Sequence, residues 1–137
     1  MVMKARKLSD SPCIGKCSTS VGDDICTGCL RSLSDIANWL MWSEDERAMS
    51  NIARHQQIVT AMQAIHVTNK ERLAARMNEL RLRRTEGADP RVWLFEALSS
   101  SRADVSQFAD LVSQPEQLAS QWQTAKRTLI ENAMAFA

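Results

Sequence analysis

Residues 13–29 read Cys13-Ile14-Gly15-Lys16-Cys17-Ser18-Thr19-Ser20-Val21-Gly22-Asp23-Asp24-Ile25-Cys26-Thr27-Gly28-Cys29, and they hold every cysteine of the 137-residue chain. The pattern is C-x3-C-x8-C-x2-C. Two close pairs joined by a short polar loop can bring four sulfurs to the corners of a tetrahedron, the arrangement that zinc takes from thiolates and that iron–sulfur clusters also use. Pro12 stiffens the approach to the first pair, Gly15 and Gly28 give the backbone room inside each pair, and Gly22-Asp23-Asp24 supplies turn chemistry in the loop. Cys13, Cys17, Cys26 and Cys29 are therefore the candidate metal ligands. Two disulfides would allow three connectivities. They are disfavoured in a reducing compartment, with downstream helices able to supply a core. A redox dithiol at Cys26-Thr27-Gly28-Cys29 would leave Cys13 and Cys17 unexplained and lacks a βαβ setting.

Working outward, residues 30–40 place apolar side chains at 30, 33, 36, 37 and 40, which is helical spacing. This predicts a helix that starts at the second cysteine pair, with its N-terminal N–H groups favouring thiolate and with Lys16 and Arg31 offsetting further charge.

Ser11-Pro12-Cys13-Ile14, Cys17, Cys26-Thr27-Gly28-Cys29-Leu30-Arg31, Ile36, Trp39 and the S-x-x-E-R run from Ser43 to Arg47 together resemble the small bacterial four-cysteine proteins of domain-of-unknown-function family 1289. The resemblance covers about residues 11–58. It implies a predicted iron–sulfur protein, a label that rests largely on the cysteines. The family pattern usually has a glycine or similar small residue after the second pair and a threonine soon after, where this chain has Leu30 and Ser32.

The spacing by itself favours zinc. A C-x2-C knuckle running into a helix, paired with a knuckle upstream, is the commoner layout of a structural zinc site, whereas the cysteine runs of common ferredoxins are spaced differently. The expected cofactor is one Zn(II), with an iron–sulfur cluster as the alternative.

Beyond the cysteines the sequence predicts helix after helix. Ser43-Glu44-Asp45-Glu46 is a capping box, and Met49, Ile52, Ala53, Val59, Met62 and Ile65 continue from it as one apolar stripe. Thr68-Asn69-Lys70-Glu71 caps a segment carrying Leu73, Met77 and Leu80, Gly87 suits a C-cap, and Asp89-Pro90 starts a helix with Val92, Trp93, Phe95 and Leu98. Ser99-Ser100-Ser101 breaks it. A short helix follows around Val105, Phe108, Ala109 and Val112, and a last one from about Glu116 aligns Leu118, Trp122, Ala125, Leu129 and Ala133. The expected architecture is all-α: an N-terminal four-cysteine metal knuckle followed by about five or six helices. Residues 1–58 form the four-cysteine module and 59–137 a helical extension, with a sub-boundary near 86–89 where a basic stretch gives way to a more acidic part.

Composition narrows the function classes. Hydrophobic residues make up 45%, charged residues 24%, and only four glycines and three prolines occur, which suits a globular protein and argues against an all-β fold. A net charge of +1 excludes a strong global field for steering nucleic acid or anionic membrane. No apolar run approaches a membrane span. Met1 to Lys7 is followed by Leu8-Ser9-Asp10-Ser11-Pro12 rather than an apolar core, so a cytoplasmic location is expected.

Other candidates have plainer explanations. Residues 70–84 carry six basic side chains against Glu71 and Glu79, and Arg76, Arg81, Arg83 and Arg84 could contact nucleic acid or a partner. A solvated face with Glu–Arg pairs explains the same charges. His55 and His66 lie about 16 Å apart on a straight helix and cannot share a metal. The four tryptophans and seven methionines suit core packing. No phosphate loop, H-E-x-x-H or G-x-S-x-G occurs, so no enzyme is expected. The reading is a metal-stabilised binding or adaptor module with a protein partner. An iron–sulfur redox or iron-sensing protein is the first alternative, and a nucleic-acid-binding protein the second.

Overall fold

A computed structural model of the chain describes residues 5–12, 25–26, 29–100 and 103–135. Five α-helices run among them: α1 Leu33–Asn38, α2 Glu44–Ala61, α3 Lys70–Glu79, α4 Pro90–Ser99 and α5 Leu118–Ala135. Stretches of 3₁₀-helix at Trp39–Met41, Val105–Leu111 and Pro115–Gln117 join them, and the described residues form only isolated β-bridges.

The helix starts lie where local chemistry puts them. Ser43 accepts from the N–H of Glu46 while the Glu46 carboxylate accepts from the N–H of Ser43, so the capping box satisfies two orphan donors at the head of α2. Asn69 caps α3, Asp89 caps α4 with Pro90 in its first turn, and Asp104 with Gln107 forms a second box before Val105. The segments before and after Thr68 are two helices, not one bent one, because α2 ends at Ala61.

Two expectations about the helices are corrected. Gly87 does not close a helix. Its φ of +78° serves a turn six residues beyond Arg81, and it is Arg81, at φ +57°, that takes the left-handed position after α3. There the N–H of Leu82 reaches the Met77 carbonyl at 2.8 Å and that of Arg81 reaches Asn78 at 3.1 Å, a Schellman closure with Leu82 and Met77 both buried. The single stripe on α2 is observed only in part: Met62 and Ile65 are buried but lie past the end of α2 and Val59 is half-buried, whereas Met49 and Ile52 are exposed, and the buried positions of α2 itself are Asn51 and Ile58.

Helix α4 is central. Val92, Leu94, Phe95, Ala97 and Leu98 are all buried, so it is apolar on most of its circumference and packs between α2 and α3, while α2 also packs on α5. Phe95 meets Trp122 of α5 edge to face at 5.6 Å. Phe108, Leu111 and Leu118 close the far side without exposure. The N-terminal strand-like segment is tied on by Arg6, whose N–H donates to Arg84 and whose carbonyl accepts from Glu86. Buried Asn51 holds the same segment by donating to the carbonyls of Leu8 and Asp10 at 2.7 and 2.9 Å.

Candidate metal centre

The second cysteine pair lies in a tight hairpin, not at a helix start. Ile25 bridges antiparallel to Ser32, the N–H of Cys26 donates to the Arg31 carbonyl at 2.9 Å, and the N–H of Leu30 donates back to Cys26 at 2.7 Å. Helix α1 begins only at Leu33, capped by Ser32, which corrects the expectation that its N-terminus faces the thiols. The helical spacing of residues 30–40 was real over 33–38 but cannot extend back to 30, because Leu30 sits at φ +64°. This is the position where the four-cysteine pattern usually has a small residue: the turn after the second cysteine demands a left-handed conformation, and leucine adopts it at a cost of about 1–2 kcal/mol. Its side chain recovers part of that by packing on the core.

Cys26 and Cys29 are both buried, 3% exposed each, and neither is in a disulfide. Cys13 and Cys17 lie outside the described residues. Among the described residues, no three Cys, His, Asp or Glu side chains converge on one point. His55 stays on α2, while His66 falls in the exposed linker after it, so the two remain apart.

What surrounds the pair is cationic. Buried Arg31 directs its Nε at the Cys29 sulfur at 3.3 Å, adds its backbone N–H to the same atom, and lays its guanidinium over Trp39 at 5.0 Å. Burial pushes the Cys29 thiol up, and the Arg31 contacts pull in the opposite direction without overcoming it. Trp39 in turn touches Trp42 at 6.0 Å. Donors aimed at a sulfur are satisfied best by a thiolate, so the chemistry of this half of the donor set fits a metal–thiolate centre.

Two further residues hold the segments that flank the hairpin and a third, Arg54, lies near it, and sequence reading assigned none of them a role at this site. Arg47 donates to the carbonyls of Trp39 and Leu40 at 2.8 and 3.1 Å, closing the end of the helical segment that follows the knuckle. This gives the S-x-x-E-R run its structural content: a capping box followed by a carbonyl clamp. Asn51 fixes the residues that lead to Pro12 and Cys13. Arg54 sits behind the pair, within electrostatic reach of Cys29, Glu96, Arg6 and Arg31, and burial lowers its pKa to about 10. In retrospect, the sequence signal for all three is a row of polar residues at 47, 51 and 54 on one face of α2.

The basic stretch is spent largely on internal contacts. Arg72 and Arg76 both pair with Asp110, at 3.1 and 3.0 Å, and Arg76 also bonds the Gln107 carbonyl. Arg83 lies 3.7 Å from Asp10, and Arg84 donates to Asn78 while covering Trp93 at 5.4 Å. Arg81 is exposed beyond α3. The intrahelical pairing expected here occurs at Arg76–Glu79, 3.8 Å.

Residues 11–58 match the family model described as "Protein of unknown function (DUF1289)", in agreement with the resemblance carried by the cysteines and the S-x-x-E-R run. Neither the comparison with curated proteins nor that with solved structures finds a match. No helix among the described residues is long and apolar enough to cross a membrane.

Proposed function

We propose, proceeding from the family match over the cysteine-bearing segment, that the protein is a small helical metal-binding module in which Cys13, Cys17, Cys26 and Cys29 hold one zinc ion. The observation that supports this reading above others is the 25–32 hairpin, which buries two sulfurs and turns Arg31 N–H donors onto one of them. Bound there, a zinc ion would supply cross-linking rather than catalysis, since four thiolates leave no open coordination position. The chain's own residues do the rest. Leu30 turns the backbone between the ligand pair and α1, Arg47 and Asn51 hold the flanking segments, and Trp39 covers Arg31 from solvent. On that saturated coordination, the module is read as a binding or adaptor protein whose partner is another protein.

An iron–sulfur cluster is the second reading. Hydrogen bonds to cysteine sulfur, such as that from Arg31, are among the features that set a cluster's potential. Elemental analysis of anaerobically purified protein decides between them. One zinc per chain and a colourless solution are expected, while a brown protein with visible charge-transfer absorption replaces zinc by a cluster. Four freely titrating thiols with neither metal would overturn both. No observation gives the 70–84 stretch comparable support as a nucleic-acid surface, because most of its arginines are bonded within the chain.

A further inference from the structure

The core takes up only part of the apolar stripe along α2, and the remainder faces a groove. Leu8, Ile52, Val59, Ala88 and Val92 line this groove of about 500 Å³ between α2, the turn that leads into α4 and the N-terminal segment. Ile52 is 42% exposed, and Met49, one turn earlier on α2, is 68% exposed. The apolar surface therefore runs on past the groove, and from Met49 to Thr60, the last α2 residue on the groove wall, it follows about 16 Å of helix. Charge on the wall has one sign. Glu86 and Asp89 stand along it, and no lysine or arginine among the described residues joins them. The exposed Glu86 carboxylate has no partner among the described residues, while Asp89 uses one oxygen to accept from the N–H of Arg91. His55 adds no positive charge at neutral pH, since burial and then Arg54 lower its pKa to about 4.

An elongated apolar strip beside two carboxylates suits an occupant that is both long and cationic. A compact small molecule would fill the groove and leave Met49 uncovered. A second copy offering its own α2 would bring an acidic first turn, Glu44-Asp45-Glu46, against like charge. We propose that this face of α2 is the docking site for an amphipathic helix of a protein partner. Its apolar side chains, one helical turn apart, cover Met49, Ile52 and Val59, and lysine or arginine flanking them meets Glu86 and Asp89. Such complementary charge selects the partner and its register more than it adds affinity. The inference rests on the reading of the module as a protein-binding one and is independent of which metal the cysteines hold.

The probe is a fluorescein-labelled amphipathic peptide of leucine and lysine, about 18 residues long so that it forms a helix, titrated with the full chain and followed by anisotropy. Its leucine–glutamate counterpart is the control. The lysine peptide should bind at least about tenfold more tightly than the glutamate one, because like charges across the groove repel. Glu86→Gln combined with Asp89→Asn, which keeps the α4 cap, should weaken the lysine peptide by roughly two- to thirtyfold, the worth of two surface ion pairs. Ile52→Asp should weaken it by roughly tenfold or more through lost apolar contact, and Ile52→Gln serves if that variant fails to fold. Equal affinity for the two peptides, binding of neither, or binding untouched by the groove variants overturns the docking site. So does a wild-type chain that sediments as a dimer while Ile52→Asp sediments as a monomer, which gives the face to a second copy. Photo-crosslinking in cells separates this inference from the reading beneath it. Cross-links to a protein from surface positions outside the groove, with none from position 52, overturn the docking site alone, and none from any position overturns both.

Discussion

Asn51 offers the most direct check on how the N-terminal segment is held against the helices. Its side-chain nitrogen donates to two carbonyls, those of Leu8 and Asp10, across 43 and 41 residues of sequence, and the residue is 4% exposed. Each such bond contributes a net of about 0.5–1.5 kcal/mol, so Asn51→Ala should cost about 1–3 kcal/mol. For a chain of this size that lowers Tm by about 3–4 °C per kcal/mol. Asn51→Asp keeps the shape and is the sharper probe. It replaces a double donor by oxygens that face two carbonyl oxygens, so it should cost more than the alanine. The introduced carboxyl should have a folded-state pKa raised above its unfolded value. The variant's deficit relative to wild type is then smallest below the unfolded carboxyl pKa and grows as pH rises toward the folded one. Urea unfolding followed by tryptophan fluorescence at pH 4 and pH 7 reads both effects. If Asn51→Asp proves no worse than Asn51→Ala at neutral pH, donation to Leu8 and Asp10 is not what holds the segment.

Three other outcomes are expected. Ser43→Ala removes the acceptor for Glu46 N–H and should lower stability by about 1 kcal/mol, measured as a shift in urea midpoint without change in slope. At Leu30, glycine should fold nearly as well as leucine, since relief of the left-handed strain offsets lost packing, whereas the β-branched Leu30→Val should be clearly worse; thermal melts of the two variants in parallel decide it. His55 is held neutral by burial and then by Arg54, with its pKa lowered to about 4, and Glu86 and Asp89 line the groove it faces. Its contribution is therefore present above the unfolded histidine pKa and is lost as pH falls from about 6.5 toward 4. The Tm loss between pH 7 and pH 4.5 should be smaller in His55→Gln than in wild type, and parallel pH curves would rule the residue out as a contributor.

Much of the architecture was legible because its determinants are local. Ser43, Asn69 and Asp89 cap helices through bonds to residues two or three positions away, so reading the sequence in order suffices to find them. Periodicity misled where two backbone states compete. Residues 30–40 carry a helical pattern, yet the hairpin bonds of Cys26 with Leu30 and Arg31 keep its first residues out of the helix. Likewise Gly87 is the residue one expects after a helix, but Leu82 folding onto Met77 ends α3 earlier and makes Arg81 take the left-handed state.

The order of residues alone determined an all-helical body and singled out the cysteine-rich segment, since caps, apolar spacing and cysteine spacing act over a few positions of chain. Only the tertiary structure decided which polar residues of α2 serve that segment. Arg47, Asn51 and Arg54 owe their roles to the Trp39 and Leu40 carbonyls, to Leu8 and Asp10, and to Cys29 and Glu96, groups up to 43 positions distant. Hydrogen bonds and desolvated charges act over a few ångströms of space. Which groups share that space is settled by how α2 packs against α4 and the hairpin.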